Sequence, residues 1–392
     1  MRGDTPDGGL AAGAIPGRRY LTALAAAAVV SFAAVWAWIV LAPLAWMDPE
    51  YAAWRAKDEL LRRCDLGDVL ILGDSRAAAD IIPALLPVNA SNLAVGGGKP
   101  IEAYSALVRA LACPGPPSSV VISFDPGHFM KPDLFWERTV RFGFLNRAEL
   151  ADLEAISRAR NDWSVWRPWH PDGLADWLRP VLYRVRFPIL YFNSLAKGGL
   201  FLRWWRNSDL LNRTIAARGH YHFGTAPGSA EISDDARFER FLPSPVLDQY
   251  FDRLLALLAA RGIPARFVAM PVNDATWARV HPALRDGFSA YLADYGRRYP
   301  GFRLHGEIMP HWPNALFGDA FSHLNPEGAR LLSQRLGASI LGASTLGATL
   351  KDGQPRLQAA PPSTQNDAQY GWFNGTSPDA SANVLPSSKR GS

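Results

Sequence analysis

Three side chains of the types used for nucleophilic catalysis lie far apart in this chain. Ser75 follows the apolar run Val69–Leu72, whereas Asp319 and His323 come just before the last helical pattern. A serine hydroxyl becomes an effective nucleophile only when a base lies within hydrogen-bond reach and a third group orients that base. The three residues therefore indicate serine-dependent acyl chemistry, provided that the fold brings them together.

The elements that must position these residues alternate between strand and helix patterns. The predicted strands and helices are Val69–Leu72, Ser91–Val95, Ile101–Leu111 (helix), Val120–Phe124, Tyr250–Arg261 (helix), Ala265–Met270 and Gly328–Leu341 (helix). Continuous apolar strands separated by helices predict a parallel sheet covered on both faces. Ligands of such sheets bind beyond the carboxyl ends of the strands. Ser75, Gly97, Asp125 and His128 all follow predicted strand ends.

The N-terminal region carries a candidate membrane anchor. Residues 20–47 are 28 positions without a charged side chain, and about 20 apolar residues suffice to span a bilayer. Arg18 and Arg19 precede this span and Asp48 follows it, so the positive-inside rule places residues 1–19 in the cytoplasm and the rest in the periplasm. A cleaved signal peptide is the alternative, but its apolar core is only about 7–15 residues. We therefore expect a single-pass protein of a bacterial inner membrane.

Composition narrows the possible partners. The net charge of +5 would permit nucleic-acid binding, but no run of Lys and Arg exceeds two residues, so we interpret the charge as a solvated surface and expect no nucleic-acid partner. Residues 343–392 are rich in Gly, Ser and Pro without apolar periodicity, which predicts a disordered tail.

A tryptophan-rich segment at about residues 129–245 interrupts the strand–helix alternation. It holds seven of the 14 Trp: Trp136, Trp163, Trp166, Trp169, Trp177, Trp204 and Trp205. Indole rings stack on sugars, which favours a glycan-binding cap. They also fill helical cores and face membranes, and the sequence leaves these alternatives open.

Three blocks of the sequence resemble the SGNH/GDSL hydrolase superfamily: residues 73–75, residues 92–97 and the Asp319…His323 pair. Residues 269–273 and 323–329 are similar to membrane-anchored bacterial members that modify O-acyl groups of exopolysaccharides, such as cellulose or alginate. The resemblance covers about residues 66–125 and 246–341. It implies a flavodoxin-like three-layer α/β/α domain over residues 48–342, with residues 129–245 as a helical insertion.

The resemblance also implies roles for single residues. Ser75 matches the nucleophile, His323 the base and Asp319 the carboxylate that orients it, while Gly97 and Ser75 match the backbone N–H donors to the oxyanion. Two positions differ from the family pattern. The Asp–His spacing is one residue longer, and residues 125–128 (Asp-Pro-Gly-His) replace the block whose Asn completes the oxyanion hole. Either His128 takes the place of that Asn, or the site is slower or not hydrolytic.

Several of these residues also have simpler interpretations. Asp74 and Ser75 could only cap a helix, and Asp319 and Ser322 could cap the last one. His220 and His222 suggest a metal, but no further ligands are suitably spaced. Residues 96–99 lack the remaining signature of a phosphate-binding loop. We therefore predict no metal and no cofactor.

The two cysteines form a candidate disulfide. Cys64 and Cys113 each precede a strand, and in the strand order 2-1-3 of a flavodoxin-like sheet those strands are neighbours. Both would then lie at the edge opposite Ser75. Two free, buried thiols are the alternative.

The function that these features favour is serine-dependent acyl transfer or ester hydrolysis on a secreted polysaccharide. A membrane-bound protein is the expected acyl donor, because tethering raises the effective concentration of the two partners. A non-catalytic glycan-binding or scaffold component of an exopolysaccharide export complex is the alternative. The residues do not distinguish transferase from esterase.

Overall fold

The structure is a computed structural model that describes residues 17–166, 178 and 181–338. The predicted tail at 343–392, the N-terminal residues 1–16, Trp169 and Trp177 lie outside the described residues.

A parallel sheet of five strands organises the fold, with the strand order β2-β1-β3-β4-β6. Leu70 pairs with Ser91 on one side and with Val120 on the other. β1 is buried along its whole length, as its uninterrupted apolar sequence predicts. A separate parallel pair, β5-β7, lies later in the chain. The strands are β1 Val69–Gly73, β2 Ala90–Asn92, β3 Ser119–Ser123, β4 Ala265–Val268, β5 Val272–Asn273, β6 Phe302–His305 and β7 His311–Trp312.

Helices connect these strands. They are α1 Gly17–Leu41, α2 Pro43–Trp46, α3 Pro49–Arg63, α4 Ser75–Asp80, α5 Pro100–Leu111, α6 Gly127–Met130, α7 Arg147–Ala159, α8 Phe192–Ala196, α9 Leu200–Ala216, α10 Pro245–Ala260, α11 Asp274–Trp277, α12 Pro282–Arg298 and α13 Pro326–Leu336.

The predicted second strand, 91–95, was too long, because the Asn92 side chain accepts a hydrogen bond from Ala94 N at 3.1 Å and turns the chain after β2. The predicted last helix ends at Leu336, before residue 341.

α1 is long and apolar enough to cross a membrane. The predicted span of 20–47 was wrong at its carboxyl end. The helix ends at Leu41, and Pro43, which has no N–H to continue it, begins α2. Trp46 and Met47 are buried in the core of the domain. The globular part therefore begins a few residues earlier than the predicted boundary at residue 48.

α3 connects α1 and α2 to the sheet, and a disulfide fixes the carboxyl end of α3. Cys64, the residue after α3, is joined to Cys113 with a Cα–Cα distance of 5.4 Å, within the range of about 4.4–6.8 Å that disulfides adopt. Cys64 precedes β1 and Cys113 precedes β3, so the bond lies at the amino ends of the strands, as expected from their order.

The tryptophans of the insertion divide between core and surface. Trp136 is buried and donates its indole N–H to Val165 O at 2.8 Å, and Trp166 packs edge-on against it. Trp204 and Trp205 are exposed. The first pair fills a helical core, whereas the second is available to a partner.

Candidate active site

Ser75 is the first residue of α4, at the carboxyl end of β1. The helix cap is Asp74, whose Oδ1 accepts from Arg76 N at 2.9 Å and Ala77 N at 3.3 Å. Its Oδ2 accepts from Asp125 N at 2.8 Å, which connects the tip of β1 to the tip of β3. Because Asp74 alone provides the cap, the Ser75 side chain is not needed for capping.

Asp319 and His323 form a close pair despite their longer spacing. His323 Nδ1 lies 2.5 Å from Asp319 Oδ2, and Asp319 Oδ1 accepts from Phe321 N and His323 N. Ser322 adopts a left-handed conformation with φ of 59°, so the extra residue is absorbed in a tight turn. Burial alone would raise the pKa of Asp319, but the adjacent His323 and the two backbone N–H groups lower it below its usual value.

Arg76 connects the Ser75 helix to the His323 loop. Its Nε donates to Phe321 O at 3.3 Å, and its guanidinium forms an ion pair with Asp235 and lies 3.7 Å from Asp125 Oδ2. At the other end of α4, Asp80 Oδ1 accepts from Leu324 N at 2.9 Å. The loop that carries His323 is thus bonded to both ends of the helix that begins with Ser75.

Ser75 and His323 are not themselves hydrogen-bonded. Among the residues that the structure describes, the buried His323 Nε2 has no hydrogen-bond partner. Catalytic hydrogen bonds are often long in unliganded sites and tighten when substrate binds. The arrangement supplies a base that Asp319 orients and a second ring nitrogen that remains available.

Gly97 lies in the loop after β2 with φ of 69°, a conformation that favours glycine. Lys99 Nζ donates to Gly97 O at 2.7 Å and fixes the orientation of the following peptide. Within the described ranges, neither Gly97 N nor Ser75 N donates to a protein acceptor. Both N–H groups remain available to a ligand.

A half-buried ion pair lies against this glycine loop. Arg138 Nη2 lies 2.6 Å from Glu50 Oε2, and a Cβ on Gly97 would come within 2.5 Å of Arg138 Nη1. Burial raises the pKa of Glu50 to about 7, although Arg138 opposes the shift. Glu50 is the second residue of α3, so the helix that follows α1 and α2 contributes directly to the candidate site.

Phe223, from the insertion, joins the glycine loop to the base. Its ring stacks on His323 with a centroid distance of 4.5 Å, and its Cζ would lie 3.1 Å from a Cβ on Gly96. Phe223 thus restrains the imidazole through a ring face, whereas Asp319 restrains it through Nδ1.

A second Asp–His pair follows β3. His128 Nδ1 lies 2.8 Å from Asp125 Oδ1 and 3.2 Å from Asp74 Oδ2. Burial alone would lower the pKa of His128, but the two carboxylates outweigh it and raise the pKa to about 9, so this histidine is a cation at neutral pH. The three residues have metal-ligand character, and the cationic His128 lies against both carboxylates.

Sequence reasoning missed four residues of this site: Arg76, Glu50, Arg138 and Phe223. Arg76 had a usable signal, because a charged residue directly after Ser75 in a buried strand–helix turn must find acidic partners. Phe223 had none, since the insertion shows no pattern that relates it to His323. His220, considered from the sequence as a metal ligand and set aside, contacts Ala79 O through its Nε2 at 2.8 Å.

Comparisons with family models, with curated proteins and with solved structures find no match to this chain.

Proposed function

We propose that this protein is a membrane-anchored serine acyltransferase or esterase of the SGNH type that acts on a secreted polysaccharide. The main support is the geometry of the Asp319–His323 pair, which Arg76 and Asp80 tie to the helix that begins with Ser75. The strand order, equivalent to 2-1-3-4-5 in chain order, fits a flavodoxin-like doubly wound sheet, and the site lies at the carboxyl edge where such sheets bind ligands.

In the proposed reaction, Ser75 Oγ attacks the carbonyl carbon of the donor ester while His323 Nε2 takes the hydroxyl proton. The tetrahedral intermediate collapses, the leaving alcohol receives that proton from His323, and an acyl-serine remains. His323 then deprotonates a sugar hydroxyl or a water, whose oxygen attacks the acyl carbon. The bond from this carbon to Ser75 Oγ breaks, and His323 returns the proton to Oγ, which releases the product and restores the free serine. Asp319 orients the imidazole and stabilises its charged form.

The oxyanion of both tetrahedral intermediates would be held by the N–H groups of Ser75 and Gly97. The family's third donor, an Asn, is absent, and His128 follows the corresponding strand. Because His128 is cationic and contacts the residue that precedes Ser75, it offers a positive charge where the family has an amide. Removing one oxyanion donor typically costs about 2.7–4 kcal/mol in the transition state, so this substitution is a central part of the proposal.

The contacts between anchor and site favour transfer over hydrolysis. Glu50, only nine residues after the end of α1, touches the Gly96 backbone. This contact supports a position of the carboxyl edge of the sheet close to the membrane that α1 would cross, within reach of a membrane-bound acyl donor protein.

The test is covalent labelling of the full chain in detergent with a fluorophosphonate, together with turnover of a p-nitrophenyl ester. We expect Ser75→Ala to abolish both. Ser118→Ala, whose hydroxyl contacts Asp68 O before β3, is the matched control and keeps both. Acylation of glycan by the Ser75→Ala protein at the wild-type rate would refute the serine mechanism.

The unpartnered His323 Nε2 also favours a second candidate, a non-catalytic glycan-binding or scaffold component. Under that function the wild-type chain binds polysaccharide but neither reacts with the fluorophosphonate nor turns over ester.

A further inference from the structure

The insertion exposes a group of large apolar side chains beside the anchor. We name it the apolar belt and define it by six residues. All six are exposed, Phe201 to 77% and Trp205 to 66%. Large apolar side chains are costly to expose to water, and a group of them on one segment suggests an interaction surface. The six are Val185, Ile189, Phe192, Leu195, Phe201 and Trp205.

The segment that carries the belt contacts α1 below its carboxyl end. Trp36 Nε1 donates to Val185 O at 2.9 Å. The Phe187 ring packs against Trp36 and Phe32, with centroid distances of 5.3 and 5.7 Å. The segment around Val185 and Phe187 therefore packs against the carboxyl-terminal half of α1.

The geometry of α1 gives the depth of these contacts. Its 25 residues span about 37 Å at about 1.5 Å per residue, more than the hydrocarbon thickness of about 30 Å. Trp36 and Phe32 precede Leu41 by five and nine residues, so they lie about 8 and 14 Å below the helix end. A bilayer crossed by α1 would therefore enclose Phe187 within its outer hydrocarbon boundary.

Polar contacts hold the belt segment at this height. Ser194 Oγ donates to Trp46 O at 2.7 Å. Asn207 Nδ2 donates to Leu44 O at 2.7 Å and to Met47 O at 3.1 Å. Asn207 belongs to α9, which packs against α2 and α3. The belt is thus fixed to the residues that leave the membrane.

The charges around the belt suit lipid headgroups. Residues 181–208 contain no Asp or Glu but include Arg184, Lys197 and Arg206. Basic residues beside aromatic and aliphatic ones are typical of segments that lie in the membrane interface and contact anionic phospholipids.

We propose that the apolar belt is inserted into the outer leaflet of the membrane that α1 crosses, with its side chains among the acyl chains and its basic residues at the headgroups. This inference rests on the proposed anchoring by α1. The apolar belt would then be a second membrane contact beside α1, and the two contacts together would fix the tilt of the domain.

The experiment measures the depth of single probes on the full chain in vesicles of phosphatidylethanolamine and phosphatidylglycerol. Both native cysteines are in the disulfide, so an introduced cysteine is the only free thiol in unreduced protein. Phe201→Cys and Ile189→Cys report on the belt. Ala33→Cys in α1 and Ala260→Cys, exposed at the end of α10, are the matched controls. Each is labelled with a nitrobenzoxadiazole and quenched by spin-labelled lipid or by aqueous iodide.

We expect the belt probes and the Ala33 probe to be quenched by spin-labelled lipid and protected from iodide, and the Ala260 probe to show the reverse. Belt probes that behave like the Ala260 probe, with the Ala33 probe in lipid, would refute the belt while leaving the anchor intact. Failure of the Ala33 probe as well would refute the anchor and the belt together. Belt probes protected from iodide but not quenched by lipid would show that protein covers the surface, which also overturns the proposal.

Discussion

Two Asp–His pairs lie at the same edge of the sheet, and they differ in how many carboxylates surround the imidazole. His323 Nδ1 faces one carboxylate, that of Asp319, at 2.5 Å. His128 Nδ1 faces two, Asp125 at 2.8 Å and Asp74 at 3.2 Å. Burial alone would lower the pKa of His128, but the two carboxylates, Asp125 more than Asp74, outweigh burial and raise this pKa to about 9.

This difference separates the roles that the two histidines can play. A general base must accept a proton near neutral pH, which a histidine held as a cation cannot do. His128 is therefore suited to stabilise negative charge, and His323 is suited to transfer protons. Under the proposed function, the same residue types give an acid–base group in one place and a positive charge in the other.

Replacing each histidine by glutamine gives the largest expected effect. His323→Gln should lower ester turnover by about 10⁴–10⁶-fold, because members of a catalytic triad act as a unit. His128→Gln should lower it by about 10²–10³-fold, the usual effect of losing one oxyanion donor. Steady-state kinetics of the two variants measure both. Near-normal activity in His323→Gln would show that the roles assigned to the two pairs are wrong.

Removing the charge of the single carboxylate should have a smaller effect than removing its histidine. Asp319→Asn should reduce kcat by about 10²–10⁴-fold, because the imidazole loses its orienting acceptor while Ser75 and the backbone donors remain. The matched control is Asp274→Asn. Asp274, at the start of α11, contacts the exposed His311 of β7 at 2.7 Å, so this change alters an Asp–His contact outside the candidate site. Equal losses in both variants would indicate a structural rather than a catalytic effect.

The smallest expected effect concerns stability, and the two pairs should act at opposite ends of the pH range. The pKa of His128 in the folded protein is about 9, above the usual 6.5. The charged His128 therefore adds to the free energy of unfolding in full below about pH 6.5, and this contribution is lost as the pH rises through about 9. It amounts to about 3 kcal/mol. The pKa of Asp319 is lowered, so its contribution is lost at acidic pH. Chemical unfolding in detergent at pH 6 and 10 should show a smaller alkaline loss for His128→Gln than for wild type. An unchanged alkaline loss would mean that the two carboxylates do not stabilise a charged His128.

The sequence predicted the elements whose signals are local. Val69–Leu72 is an unbroken apolar run, and Tyr250 begins a strongly amphipathic pattern, so the first strand and α10 follow from hydrophobic period alone. β6 was not predicted, because Phe302–His305 has only two apolar residues and its alternating pattern is too short to stand out, unlike the continuous apolar runs of inner strands such as β1. α3 was not predicted either, since its buried Lys57 and Glu59 obscure its apolar face.

The candidate site divides in the same way. Ser75 and the Asp319–His323 pair follow strand and helix boundaries, and a family pattern could be matched to them. Glu50, Arg138 and Phe223 reach the site through tertiary packing of the anchor-linked helix and the insertion, and no spacing along the chain encodes those contacts. The sequence did not show how the extra residue between Asp319 and His323 is accommodated. The left-handed turn that accommodates it lies at Ser322, and only a glycine there would have indicated such a turn.

α3 sets the height at which chemistry would take place. Glu50 at its start touches the glycine loop, Cys64 after its end is locked by the disulfide, and its 15 residues measure about 22 Å. Residues 42–48, between α1 and α3, include α2 and a buried Trp46, so they do not form a flexible linker. With α1 in a bilayer, the candidate site would therefore stay at a fixed height above the membrane. Under the proposed function, a growing polysaccharide would be modified only close to its point of exit, and the spacing of the modifications along it would record how fast the polymer emerges relative to turnover.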